Sequence, residues 1–166
     1  MQHNHQSNSF KEKTFPVILV CNNVSYAQNV GSLFRASDAF GIEKIVFCGN
    51  KIPRGRKMTK TSRSTEKTVT FQDNVDILEY ISHLKSEGYI CYAIEITSNS
   101  KPLKSFNFAK DQKFALIIGS ENFGVDEKVL NMVDDTIHID MFGNNSSMNV
   151  VQAASITLYE LTKQLN

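Results

Sequence analysis

Short, almost unbroken apolar runs constrain this chain more than any other feature. Residues 16–21 (PVILVC), 44–48 (KIVFC) and 114–118 (FALII) are five or six residues long and do not alternate with polar positions. Such runs suit strands buried on both faces, as parallel sheets require. Residues 89–96 and 136–139 read as further strands. Helical spacing lies between them. Over 27–40, Val30, Leu33, Phe34 and Ser37 share one face and Gly41 ends the pattern. After Asp73 or Asn74 as a cap, Ile77, Leu78, Ile81 and Leu84 form a second stripe, stopped by Gly88. Asp126 can start a short helix bearing Val129, Leu130 and Val133, and residues 149–164 make a last, strongly helical segment. Strands alternating with helices predict an α/β domain, a mainly parallel sheet flanked by helices. A chain of 166 residues suits one such domain. The expected division is a lead-in over 1–14 and a single domain over 15–166.

The last segment carries apolar residues around much of its circumference: Val150, Val151, Ala153, Ala154, Ile156, Leu158 and Leu161. A helix of that kind buries more than one side. It either lies wholly inside or meets a second subunit, with Leu158 or Leu161 as candidates for the outward face. No apolar stretch reaches the 18 residues of a membrane helix, and residues 1–13 lack the core of a secretory signal. Cys21, Cys48 and Cys91 are scattered and odd in number, which predicts free buried thiols rather than disulfides or a zinc site. A cytoplasmic protein without a metal is expected, His3 and His5 being solvated tail residues.

The net charge of +1 conceals an uneven distribution. Lys51, Arg54, Arg56, Lys57, Lys60, Arg63 and Lys67 are opposed only by Glu66, giving +6 in 17 residues against −5 for the rest of the chain. With Pro53 and Gly55 among them, these residues read as a loop, either one that meets phosphates or a solvated charged surface.

Ligands of parallel sheets sit beyond the carboxyl ends of the strands. Three polar loops follow strands here, at 22–31, 119–124 and 140–149. The second has phosphate-loop glycine spacing, but Val125 and Asp126 stand where Lys and Ser/Thr are required. No G-x-G-x-x-G follows the first strand. Nucleoside-triphosphate and dinucleotide sites are therefore unsupported.

Together, three segments resemble the three motifs of the SpoU (TrmH-like) RNA ribose methyltransferases of the SPOUT superfamily. They are NVGSLFRASDAFG over 29–41, ALIIGSENFGV over 115–125, and IHIDMFG over 137–143 followed by SMNVVQAA over 147–154 and LYE over 158–160. The resemblance implies a deep carboxy-terminal trefoil knot and a homodimer through the last helix. It also implies S-adenosylmethionine as methyl donor, no metal, and transfer to a ribose 2′-hydroxyl of tRNA or rRNA. Asn29 and Arg35 match the first motif, Glu121 the second, and Ser147 and Asn149 the third, which makes these five the expected catalytic set. Thr97, Gly119, Glu121, Ile139, Met148 and Asn149 fall where members contact the donor. Gly119 is expected to face the donor directly, so that a side chain there would exclude it.

A helical turn is expected to bring Arg35 near the loop that ends the first strand. A guanidinium stays charged and makes a poor general base. Its expected work is to grip a phosphate beside the target ribose and stabilise the developing alkoxide. The alternative is an ion pair with Asp38. RNA is expected to contact Arg35, Arg54, Arg56, Lys57, Lys60 and Arg63. At 61–65, relatives carry small apolar residues and a glycine where this chain has Arg63 and Ser64. The other functional reading is a relative that binds RNA without chemistry.

Overall fold

A computed structural model describes residues 11–166. His3, His5 and most of the expected lead-in lie outside the described residues. The order of elements is β1 Phe15–Asn22, α1 Ala27–Ala39, β2 Ile42–Cys48, α2 Arg56–Ser62, a 3₁₀ turn Thr65–Lys67, β3 Phe71–Val75, α3 Ile77–Ser86 and β4 Tyr89–Ile94. Then follow β5 Lys101–Pro102, a 3₁₀ turn Leu103–Ser105, β6 Lys113–Ile118, α4 Glu127–Leu130, β7 Asp135–His138 and α5 Val150–Leu165.

The strands form one sheet in the order β3-β2-β1-β6-β4-β7-β5, with every pairing parallel. Alternate residues of β1 explain the layers. Val17, Leu19 and Cys21 point into a core closed by Leu33 and Phe34 of α1, Met58 of α2 and Leu158 and Leu161 of α5. Ile18 and Val20 point the other way, against Tyr80, Ile81 and Leu84 of α3 and Val129 of α4. Both faces are covered, as the unbroken apolar runs require. The chain builds outward from β1 to β2 and β3, then crosses to the other side. Its reversal falls between β1 and β6, where open α/β sheets form a crevice.

Three expectations need correction. Residues 71–75 are a strand, β3, and the cap of α3 is Asp76, whose side chain accepts from Glu79 N at 2.9 Å. Asn74 has φ +59° inside the strand, so neither it nor Asp73 starts the helix. Half of the basic segment is helical rather than loop. α2 seats on α1 at Gly31, where a Cβ would lie 2.5 Å from Met58 O and 2.8 Å from Thr61 Cβ. Leu158 and Leu161 are wholly buried, while the outward large apolar residues of α5 are Ile156, 40% exposed, and Tyr159, 59% exposed. Among the described residues the three cysteines are free and buried, and no helix is long and apolar enough to cross a membrane. Burial pushes the Cys48 thiol up to about 12, with Asp76 adding to it, so this is no thiolate nucleophile.

Candidate active site

The carboxyl ends of β6, β4 and β7 open into a pocket of about 1040 Å³. Its walls come from the start of α1, the loops after β4, β6 and β7, and the start of α5. All six residues expected around a donor line it: Thr97, Gly119, Glu121, Ile139, Met148 and Asn149. So do Asn29 and Ser147.

One hydrogen-bond chain joins the three motif segments. Asn149 Nδ2 donates to Asn29 Oδ1 at 3.3 Å, and Asn29 Nδ2 donates to Glu121 Oε1 at 2.9 Å. The same carboxylate accepts from Tyr26 N at 3.0 Å and Ser25 N at 3.2 Å. Glu121 therefore occupies the amino end of α1, where a carboxylate satisfies orphan N–H groups. Burial works to raise its pKa, but the bonds from Asn29, Tyr26 and Ser25 outweigh burial and hold the carboxyl below its usual range. Asn149 is also the cap of α5, its Oδ1 accepting from Val151 N at 2.9 Å. Asn29 and Asn149 thus each use both ends of an amide, and Glu121 uses both oxygens.

The loop after β6 is shaped by Gly119 and Gly124. Ser120 and Gly124 exchange backbone bonds of 3.0 Å, folding the loop back on itself. A Cβ on Gly119 would lie 1.9 Å from the Gly124 carbonyl carbon. A valine there breaks the loop before it can meet any ligand, so the absence of a side chain at Gly119 serves the fold of the turn first. Glu95 was not foreseen. Its carboxylate accepts from Ile96 N and Val125 N, each at 2.9 Å, and so ties the loop after β4 to the loop after β6. Its only sequence signal was a charge at the end of an apolar run. Behind Thr97, Ser100 Oγ donates to Thr97 O at 2.8 Å and accepts from Thr97 N at 3.0 Å. His138 Nδ1 approaches that hydroxyl at 3.0 Å. Since the hydroxyl proton is spent on Thr97, this contact requires the proton on Nδ1.

Arg35 is not brought into this cluster. It is exposed, six residues along α1 from Asn29, which is about 9 Å of helical rise. It is absent from the pocket lining, and among the described residues it pairs neither with Asp38 nor with another carboxylate. Arg35 lies one turn beyond Gly31, on the side of α1 where α2 packs. Arg56, Lys57, Lys60 and Arg63 are exposed there, whereas Arg54 is engaged with Asp73 at 2.7 Å. Arg63 and Ser64 have φ of +51° and +73°, a conformation that favours glycine. Among the described residues, no cluster of three or more His, Cys, Asp or Glu side chains is arranged to hold a metal.

The chain is 27% identical over 146 residues to the tRNA (guanosine(18)-2'-O)-methyltransferase of Thermus thermophilus, covering 88% of this chain and 74% of that protein. Its fold matches the TrmH/SpoU tRNA modifying enzyme of A. aeolicus with a TM-score of 0.81 at 22% identity, over 90% of this chain and 75% of the other. It also matches an AdoMet-bound rRNA methyltransferase from Sinorhizobium meliloti with a TM-score of 0.83 at 17% identity, over 90% of this chain and 57% of that one. A family model covers residues 16–159, from the start of β1 nearly to the end of α5, and the chain belongs to the SpoU rRNA Methylase family.

Proposed function

We propose that this protein transfers the methyl group of S-adenosylmethionine to a ribose 2′-hydroxyl of tRNA or rRNA. The observation that carries this reading is the hydrogen-bond chain Asn149–Asn29–Glu121, which gathers all three motifs at the rim of one pocket. A volume of about 1040 Å³ suits a nucleoside-sized ligand, and the walls mix apolar Ile139 and Met148 with backbone amides of the loops at 95–97 and 119–125. Thr97, Gly119, Ile139 and Met148 would hold the donor, with Glu121 and Asn149 fixing the loops around it. When bound, the donor supplies a methyl group already activated on a sulfonium, and no metal is needed. Glu121 acts by position, since both its oxygens are taken by N–H groups. Ser147, exposed at the pocket edge, is free to meet the acceptor ribose.

Arg35 sits too far along α1 to serve the pocket of its own protomer. We therefore assign it to the neighbouring pocket of a homodimer in which α5 meets a second copy through Ile156 and Tyr159. There it holds a phosphate beside the target ribose and stabilises the alkoxide as the 2′-proton leaves. We also read the carboxy-terminal passage as a deep trefoil knot. β5 pairs with the far side of β7, so the chain from β4 to β6 must go round β7 and return. On its way back it lies against α5, where Phe108 N donates to Gln164 Oε1 at 2.9 Å. The 15–166 segment is read as one domain, and its buried free thiols suit the reducing cytoplasm.

The test incubates the protein with labelled S-adenosylmethionine and unmodified tRNA or rRNA, then maps the product. Label on a ribose 2′-oxygen is the expected result. Label on a base, or RNA binding without transfer, would sink the reading, the latter in favour of a non-catalytic relative. Light scattering should show a dimer that Ile156→Glu with Tyr159→Glu converts to an inactive monomer, a buried unpaired charge on both sides of a symmetric interface being costly.

A further inference from the structure

The pocket mouth carries an aromatic ring that has no role in the scheme above. Phe123 is 87% exposed, yet it lines the pocket. Its presentation is fixed. The Ser120–Gly124 pairing closes the turn beneath it, and Phe123 N donates to Ser120 Oγ at 3.1 Å. Gly124 has φ +68°, and a Cβ there would lie 2.3 Å from Glu95 Oε2, so the space under the turn is already filled. On one side of the ring, Glu121 is fastened to α1. On the other, Val125 N is held by Glu95. Beside it, Tyr26 Oη donates to Asn122 Oδ1 at 3.2 Å. A rigid turn that holds a large apolar ring in water forfeits the gain of burying it. That arrangement suits a ligand with a flat apolar face.

The rest of the surface narrows the choice. The basic segment 51–67 offers seven cations and no aromatic residue, so it can grip phosphates but cannot stack a base. Phe142, 97% exposed, does not line the pocket, and Tyr159 packs edge-on to Phe40 at 6.5 Å between centroids. Tyr26, 50% exposed, also lines the pocket, but its hydroxyl is tied to Asn122 Oδ1 at 3.2 Å, so Phe123 is the exposed ring at the mouth that is left free to stack. Resting on the ribose methylation proposed above, we infer that Phe123 is the stacking platform for the base of the nucleotide whose 2′-oxygen is methylated. Single-stranded RNA is recognised by splaying bases onto aromatic rings. A base held on Phe123 leaves its ribose facing the pocket, while Arg35 and the basic residues hold the backbone. Every base has a π-face, so the ring sets position and leaves base identity to edge contacts. Phe123 is thus a positioning residue for the acceptor.

The chain contains no tryptophan, so Phe123→Trp introduces a single fluorophore at the mouth. Its emission should be quenched by a single-stranded RNA oligonucleotide that the wild type binds, and less so when the target nucleotide is abasic. Phe123→Ala should weaken binding of that RNA about 5- to 150-fold, the range of one base–aromatic stack. Phe123→Tyr should restore it. Donor affinity by calorimetry and melting temperature should stay unchanged in all three variants. Unchanged RNA affinity in Phe123→Ala would overturn the inference. So would a tryptophan emission already blue-shifted without RNA, together with a smaller oligomer for Phe123→Ala, since the ring would then be an interface residue. The outcomes separate from those of the function itself. Quenching and affinity loss without methyl transfer by the wild type leave the platform standing and remove the enzyme. Normal transfer by Phe123→Ala does the reverse.

Discussion

The pocket rim and the basic segment are built on opposite plans. At the rim, Asn29, Glu121, Asn149 and Glu95 are polar or acidic, and their acceptors are engaged by N–H groups at 2.9 to 3.3 Å. In the basic segment, Arg56, Lys57, Lys60 and Arg63 stand in water, and only Arg54 has a close carboxylate partner among the described residues. One region encodes direction and the other encodes charge. Hydrogen bonds are steep in distance and angle, whereas the attraction of phosphates to a cationic surface is diffuse and screened by salt. Single changes at the rim should therefore be severe, and single changes in the basic segment mild and roughly additive. Arg35 belongs to the second region by position and to the first by its proposed task.

Arg35 accordingly gives the sharpest test. Arg35→Ala should lower methyl transfer about a hundredfold to a thousandfold, the scale for losing one donor to a developing oxyanion, with donor affinity intact. Arg35→Lys should also be badly impaired, because a point charge does not replace a planar fork. Single-turnover rates measure both. Near-normal transfer in the lysine variant would return Arg35 to the region of plain charge.

Glu121 should follow closely. Glu121→Gln keeps the shape but removes the negative charge that three N–H groups share, and a displacement near 1 Å at the rim should lower transfer about a hundredfold. The variant also carries a signature in pH. The Glu121 carboxyl lies below its usual range, burial being outweighed by the bonds from Asn29, Tyr26 and Ser25. Its stabilisation is thus fully present above the ordinary glutamate pKa of about 4.3 and is lost as pH falls through the lowered folded value. Wild type should be the more stable at neutral pH, and the gap to Glu121→Gln should close on acidification. A gap that stays constant with pH would mean that the carboxylate charge is not what holds α1.

In the basic segment, replacing Arg56, Lys57 and Lys60 together with Gln should weaken RNA binding without changing the transfer rate at saturating RNA. Each lost phosphate contact should flatten the dependence of log affinity on log salt by about 0.7 to 0.9. Titrations at several salt concentrations read this directly. An unchanged slope would make the segment a solvated surface. Arg54 is omitted because Asp73 already holds it.

The same contrast explains what could be read before the structure. β1, β2 and β6 were legible because burial on both faces leaves an unbroken apolar run. β3 was not, because Phe71–Val75 (FQDNV) is an edge strand with three consecutive polar residues between its apolar ends and Asn74 at φ +59°. α2 was hidden for another reason. Its seven residues are mostly cationic or polar, and the helix rests on α1 through buried Met58 and the space left by Gly31, a tertiary cause that local propensity does not record. On α5, two-sided apolarity was evident, but Leu158 and Leu161 belong with Ala154 and Leu165 to one inward stripe. Ile156 and Tyr159 form the other side. Asn29, Glu121 and Asn149 were named from resemblance alone. Asn29 meets Glu121 and Asn149 across 92 and 120 residues of chain, and no periodicity spans such distances.

The smallest expected effect tests whether the basic segment owes anything to exact backbone placement. Ser64 joins α2 to its 3₁₀ turn at φ +73°, and its side chain makes no capping bond. A non-glycine residue there costs on the order of 1 kcal/mol, while glycine loses about 0.4–1 kcal/mol of that gain through a freer unfolded chain. Ser64→Gly should therefore raise stability by at most about 0.5 kcal/mol, read as a small increase in denaturant midpoint at constant slope. It changes no charge, so RNA affinity and its salt dependence should stay within about twofold, the latitude of a diffuse electrostatic contact. A larger loss of RNA affinity, with stability unchanged or improved, would mean that the joint aims Arg63 at one phosphate. The basic segment would then work by direction as the rim does, and the division between the two regions would fail at this residue.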